Sequence, residues 1–156
     1  MSVCNNPSNN HPFSPMKTVK AYRTHINKLP GTNYSEVRRK AWLFYSYLRG
    51  NTKRRPYVRS AYFGKDKIFL GLFWHHLNDK LNFKDKTRRL KYLPCAIDLI
   101  KHSSFAPVSK ENVYKKSEIL HRFTGITRND EVFFVQIKEN KNSNEKYLIS
   151  VFPLSA

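Results

Sequence analysis

Five side chains in the C-terminal third, His121, Arg122, Thr124, Lys138 and Ser150, are of the types that can cleave RNA without a metal ion. RNA supplies its own nucleophile in the ribose 2′-hydroxyl. The protein then has only to orient the backbone, accept one proton and stabilise a crowded phosphate. Arg122 and Lys138 suit the phosphate, His121 suits proton transfer near neutral pH, and Thr124, Gln136 and Ser150 suit orientation of the backbone. A positioned acid or base is worth roughly 10² to 10⁴-fold in rate. Each donor aimed at developing charge adds on the order of 10² to 10³. DNA lacks the 2′-hydroxyl, so this set points to RNA.

Other chemistries fit less well. Two-metal hydrolysis needs convergent carboxylates, and the acids here are few, scattered and usually beside Lys or Arg. Only Cys4 and Cys95 are present, with no histidine at ligand spacing, so neither a structural zinc site nor a disulfide is expected. No metal and no cofactor is called for. His75 and His76 are adjacent on a predicted helix and point in different directions, which argues against a shared site. His121 falls with the core-facing residues of its strand, where a packed or hydrogen-bonded histidine is the commoner outcome.

Charge carries the strongest signal. Twenty-nine Lys and Arg against eleven Asp and Glu give a net charge of +18 in 156 residues. Such a chain repels itself unless an anion neutralises it, and solubility needs only about 2 to 8 charges. Residues 1–66 hold thirteen basic and two acidic side chains, residues 103–156 eight and six. The first half is therefore the phosphate-facing half, with Arg38, Arg39, Lys53, Arg54, Arg55 and Arg59 as candidate contacts, joined by Arg88 and Lys91 further on. The longest apolar run, Ile68 to Trp74, has seven residues, against the roughly 20 needed to span a bilayer. The leader lacks the basic start and apolar stretch of a secretory signal, so a cytoplasmic location with no membrane partner is expected.

Periodicity supplies the elements that must position these groups. Residues 1–16 read as a disordered polar leader, 17–65 as a basic helical region, and 66–156 as helices plus a three- to four-stranded antiparallel sheet, one compact domain with 17–65. Val37, Ala41, Phe44, Tyr45 and Leu48 predict a helix over 35–49, followed by a basic loop over 51–59. A second helix is expected from Asp66, as cap, to Leu81. A third begins near Lys86 and should kink or split at Pro94. Strands are expected at 118–126, 132–139 and 146–153. The class is α+β, N-terminal helices packed on a C-terminal antiparallel β-meander.

Alternation sorts the meander into two faces. Phe123, Phe133, Val135, Ile137, Ile149 and Val151 form the face toward the helices. Arg122, Gln136 and Ser150 fall in one row on the other face, near Thr124 and Lys138. Phe134 and Phe152 share that outer face, where exposed rings would stack on bases.

The runs SEILHRFTGITRNDEVFFVQIKEN and KYLISVFP resemble those of the barnase, EndoU, colicin and RelE group of metal-independent nucleases, in its phage- or mobile-element-associated branch, over about residues 86–153. The resemblance implies a toxin-like endoribonuclease, with His121, Arg122, Thr124, Lys138 and Ser150 matching in kind the strand-borne groups such nucleases use. It also implies an acidic antitoxin or inhibitor protein covering the sheet. The basic region 17–65 is larger than the small toxins carry. Two other readings stay open: a non-catalytic RNA-binding or ribosome-associated protein, and a DNA-binding accessory protein of a mobile element, the latter without helix-turn-helix spacing.

Overall fold

The computed structural model describes residues 19–80 and 82–154. The expected leader and Cys4 lie outside them. The chain is mixed α+β, and the described residues form one sheet of seven strands and four helices. In order these are β1 (Tyr22–Arg23), α1 (Tyr34–Gly50), β2 (Tyr57–Arg59), β3 (Lys67–Phe69), α2 (Gly71–Asn78), α3 (Phe83–Lys91), α4 (Leu93–His102), β4 (Val108–Asn112), β5 (Lys115–Ile126), β6 (Val132–Asn140) and β7 (Lys146–Pro153).

Helix α1 begins where its chemistry requires. Asn33 stands at the N-cap in an extended conformation and its side-chain oxygen accepts from the Glu36 amide at 2.9 Å. Val37, Ala41 and Tyr45 form its buried stripe. Pro94 divides the third predicted helix: it sits in the first turn of α4, where its missing N–H costs nothing, and α3 ends just before it. The predicted helix over 66–81 is a correction. Residues 67–69 are strand β3, and α2 starts only at Gly71. Lys67–Phe69 pairs with β2 on one side and β7 on the other, so two neighbouring strands override a local four-residue repeat.

Strands β5, β6 and β7 are consecutive and antiparallel, but the sheet extends beyond them. Its order is β1-β5-β6-β7-β3-β2, with β4 also pairing β5. Tyr22 and Arg23 lie parallel to Gly125 and Ile126, and β3 runs parallel to β7. The basic region is therefore not simply helical: it contributes β1 and β2, and the predicted loop 51–59 ends in a strand. Nor do all the helices precede the sheet, since they are inserted between strands. One hydrophobic cluster joins all four helices to Ile68, Phe123, Phe133, Val135, Ile137, Leu148 and Val151.

Ile149 is a second correction. A β-bulge interrupts the β6–β7 register, so Gln136 faces Ser150 but Ile137 faces Leu148. The extra residue inverts every side chain N-terminal to it. Leu148 becomes fully buried in place of Ile149, Lys146 turns inward and Tyr147 turns outward.

Candidate nucleic-acid interface

The outer face of the sheet is a ladder of cross-strand rows. Thr124, Phe134 and Phe152 form one, Arg122, Gln136 and Ser150 the next, and Leu120, Lys138 and Tyr147 a third that continues into Phe69 and Tyr57. The bulge places Tyr147 in that third row, beside Lys138.

The first two rows make an aromatic and arginine patch. The Phe134 and Phe152 rings lie 5.3 Å apart at 38°, and the Arg122 guanidinium stands 5.8 Å from each centroid. Arg89, from α3, approaches Phe152 at 5.5 Å and donates to the Ser150 hydroxyl at 2.9 Å. Its ion pair with Asp85 at 3.0 Å fixes the side chain. Ser150 is thus occupied by Arg89, a residue that sequence reasoning passed over.

The third row borders a cleft of about 460 Å³, lined by Arg55, Phe69, His75, Lys115, Glu118, Lys138 and Tyr147 among others. Glu118, 8% exposed, is the carboxylate in its lining. Both Lys138 Nζ and Lys115 Nζ lie 3.5 Å from Glu118 Oε1, and the Asn112 amide donates to Oε2 at 3.1 Å. Burial works to raise the pKa of this carboxyl. The Asn112 hydrogen bond and the two ammonium groups outweigh it and hold Glu118 below the usual carboxylate range. The Arg55 guanidinium lies over the Phe69 ring, 3.9 Å from its centroid, and pairs with Glu145 at 3.1 Å. His75, exposed on α2, is also in the lining. Glu118 and His75 are titratable groups of this cleft that spacing did not single out, because the cleft takes its lining from α2 as well as from the outer sheet face.

His121 is elsewhere. It is buried on the helix-facing side, with Nδ1 2.6 Å from Ser109 Oγ and Nε2 3.1 Å from Glu139 Oε1. A carboxylate can only accept, so Nε2 carries the proton and Nδ1 accepts from the serine. Burial lowers its pKa, against the opposing pull of Glu139. Glu139 in turn lies 3.8 Å from Lys146, whose Nζ reaches Asp66 at 2.8 Å. The imidazole ties β4 to β5 and β6, and both its nitrogens are engaged.

The remaining candidates disperse. Arg38 and Arg39 are exposed on α1, where Arg38 and Arg49 flank the Trp42 ring at 5.9 and 5.7 Å. Lys53 and Arg54 are exposed in the loop before β2. Arg59 lines a second cleft, of about 490 Å³, with Lys65 and Lys101. Arg88 is exposed on α3, and Lys91 is half-buried at its end. No helix among the described residues is long and apolar enough to cross a membrane. Compared with known protein families, curated proteins and solved structures, the chain matches none of them.

Proposed function

We propose that this protein binds RNA across the outer sheet face and cleaves it in the Glu118 cleft without a metal ion. The observation that supports this reading is a single carboxylate held between two lysines, in a cleft that also presents a histidine, an arginine and a tyrosine. Strand cleavage by the 2′-hydroxyl needs one group to take its proton and one to protonate the departing 5′-oxygen. Glu118, kept ionised, takes the first part and His75 the second. Lys138, Lys115 and Arg55 offset the charge that builds on the phosphate. The products are a 2′,3′-cyclic phosphate and a free 5′-hydroxyl, so no water is consumed. Arg122, Phe134 and Phe152 offer stacking surface for a flanking base, with Gln136 and Thr124 beside them for polar contact. An acidic inhibitor protein would cover this same face.

The test is incubation of the purified protein with labelled RNA in excess EDTA. Fragments ending in 2′,3′-cyclic phosphate are expected, with loss of cleavage but retention of RNA in His75→Ala and Lys138→Ala. RNA retained intact, on ribosomes as well as free, would replace this reading with a non-catalytic RNA-binding module. The tilted Phe134–Phe152 pair serves either purpose.

A further inference from the structure

At the opposite end of β5 from the cleft, three metal-ligating side chains converge outside the proposed nuclease site. His25 follows β1, while Asp98 and His102 stand one turn apart on the same face of α4. Their nitrogen and oxygen ligand atoms all lie within 4.8 Å of one another. His102 Nδ1 is 3.0 Å from Asp98 Oδ1, and His25 Nδ1 is 3.6 Å from Asp98 Oδ2.

From this geometry we infer a binding site for a divalent transition ion of the zinc type, formed by His25, Asp98 and His102, that fastens the segment after β1 onto α4. Imidazole and carboxylate are a donor set that zinc accepts. Bonds of about 2.0 to 2.2 Å to three ligands require donor atoms about 3.3 Å apart. The observed separations close to that value by rotating two rings that are 75% and 52% exposed. The carboxylate is the fixed member. Asp98 is 8% exposed, and its Oδ2 accepts from the His25 amide at 2.9 Å and from the Tyr22 hydroxyl at 3.3 Å. Outer hydrogen bonds of this kind hold a ligating carboxylate in orientation. Tyr22 stands outside the three ligands as a donor to Asp98, and its hydroxyl oxygen also lies 3.1 Å from His25 Nδ1. Binding takes the place of the Nδ1 hydrogen bonds of both rings, from His102 to the Asp98 carbonyl and carboxylate and from His25 to the Tyr22 oxygen, and each imidazole then carries its one remaining proton on the outward nitrogen. Three protein ligands leave at least one position for water.

Sequence spacing concealed the site because 73 residues separate His25 from Asp98, and only the pairing of β1 with β5 brings them together. Backbone hydrogen bonds from Thr24 and His25 already hold the segment, and a metal would add coordinate bonds from the two rings and the carboxylate.

The experiment is titration of the full chain with Zn²⁺, followed by calorimetry and by the visible absorption of Co²⁺ as substitute, with Mg²⁺ as control. One saturable Zn²⁺ site is expected, with Kd raised at least about tenfold in both His25→Ala and His102→Ala and unchanged in His76→Ala. Zn²⁺ should also slow exchange of the His25 amide in the wild type and leave it unaltered in His102→Ala. Both substituted rings are exposed, so circular dichroism should report an intact fold. Absence of saturable binding, or an equal Kd in the His25→Ala/His102→Ala double variant, would overturn the assignment. Neither result depends on RNA cleavage, which is measured in EDTA.

Discussion

Replacing Glu118 by Gln removes one charge and keeps the shape, so it separates proton transfer from binding. Glu118 Oε1 lies 3.5 Å from both Lys115 and Lys138 Nζ. If it takes the 2′-hydroxyl proton, its loss lowers kcat by about 10² to 10⁴-fold, or about 2.7 to 5.5 kcal/mol of barrier. Affinity should move the other way. In the wild type the two ammonium groups are partly neutralised by Glu118; in the variant both face the phosphate. An exposed pair contributes about 0.2 to 1 kcal/mol, and Lys115 is 63% exposed in its side chain. Release of that pairing predicts RNA binding tighter by about 1.4- to fivefold at low salt. Single-turnover cleavage of a short labelled RNA, with filter binding in parallel, measures both. Opposite movement of kcat and Kd is the signature. A kcat within about threefold of wild type, or equal losses in rate and affinity, would show that Glu118 is a structural partner of the lysines and that the proton goes elsewhere. Wild-type cleavage should also persist well into the acid range, because the active form of a carboxylate base is lost only as pH falls through its lowered pKa.

Four further outcomes follow from the geometry. His121 has a lowered folded pKa, so its contribution to stability is complete above about pH 6.5 and is lost as pH falls toward the folded value. His121→Gln should therefore flatten the fall in Tm on acidification from pH 7 while lowering the neutral value, as seen by thermal unfolding across pH. Gly125→Ala would place a methyl group within 3.0 Å of the Phe133 ring in the core, an overpacking cost of about 1 to 3 kcal/mol by urea unfolding. Arg89→Ala frees the Ser150 hydroxyl and uncovers Phe152; RNA affinity should fall severalfold with little change in kcat if the patch holds a flanking base. RNA binding should weaken with salt at a slope of about −0.7 per phosphate contacted, and Arg55→Ala should reduce that slope by about one contact.

Much of this was readable in the chain itself, because local rules governed it. The stripe of α1, the break at Pro94 and the three long strands each follow from spacing and composition within a short window. The row of Arg122, Gln136 and Ser150 was legible too, since alternation and short hairpins fix register on either side of a turn. The strong positive charge required no structure at all.

What tertiary structure alone decided is where the chemistry collects. One bulge at Ile149 sends Tyr147 outward and Lys146 inward, and alternation carries no mark of a skipped residue. Phe69 reads as helical until β2 and β7 claim its backbone on both sides. Glu118 looks like an ordinary acid beside lysines, and His75 like one of a meaningless pair. Only the approach of α2 to the outer sheet face puts them in one cleft, just as the β1–β5 pairing alone sets His25 against α4. Side-chain identity and local period are written in sequence order; contacts between distant segments are chosen by the free energy of burying the whole surface at once.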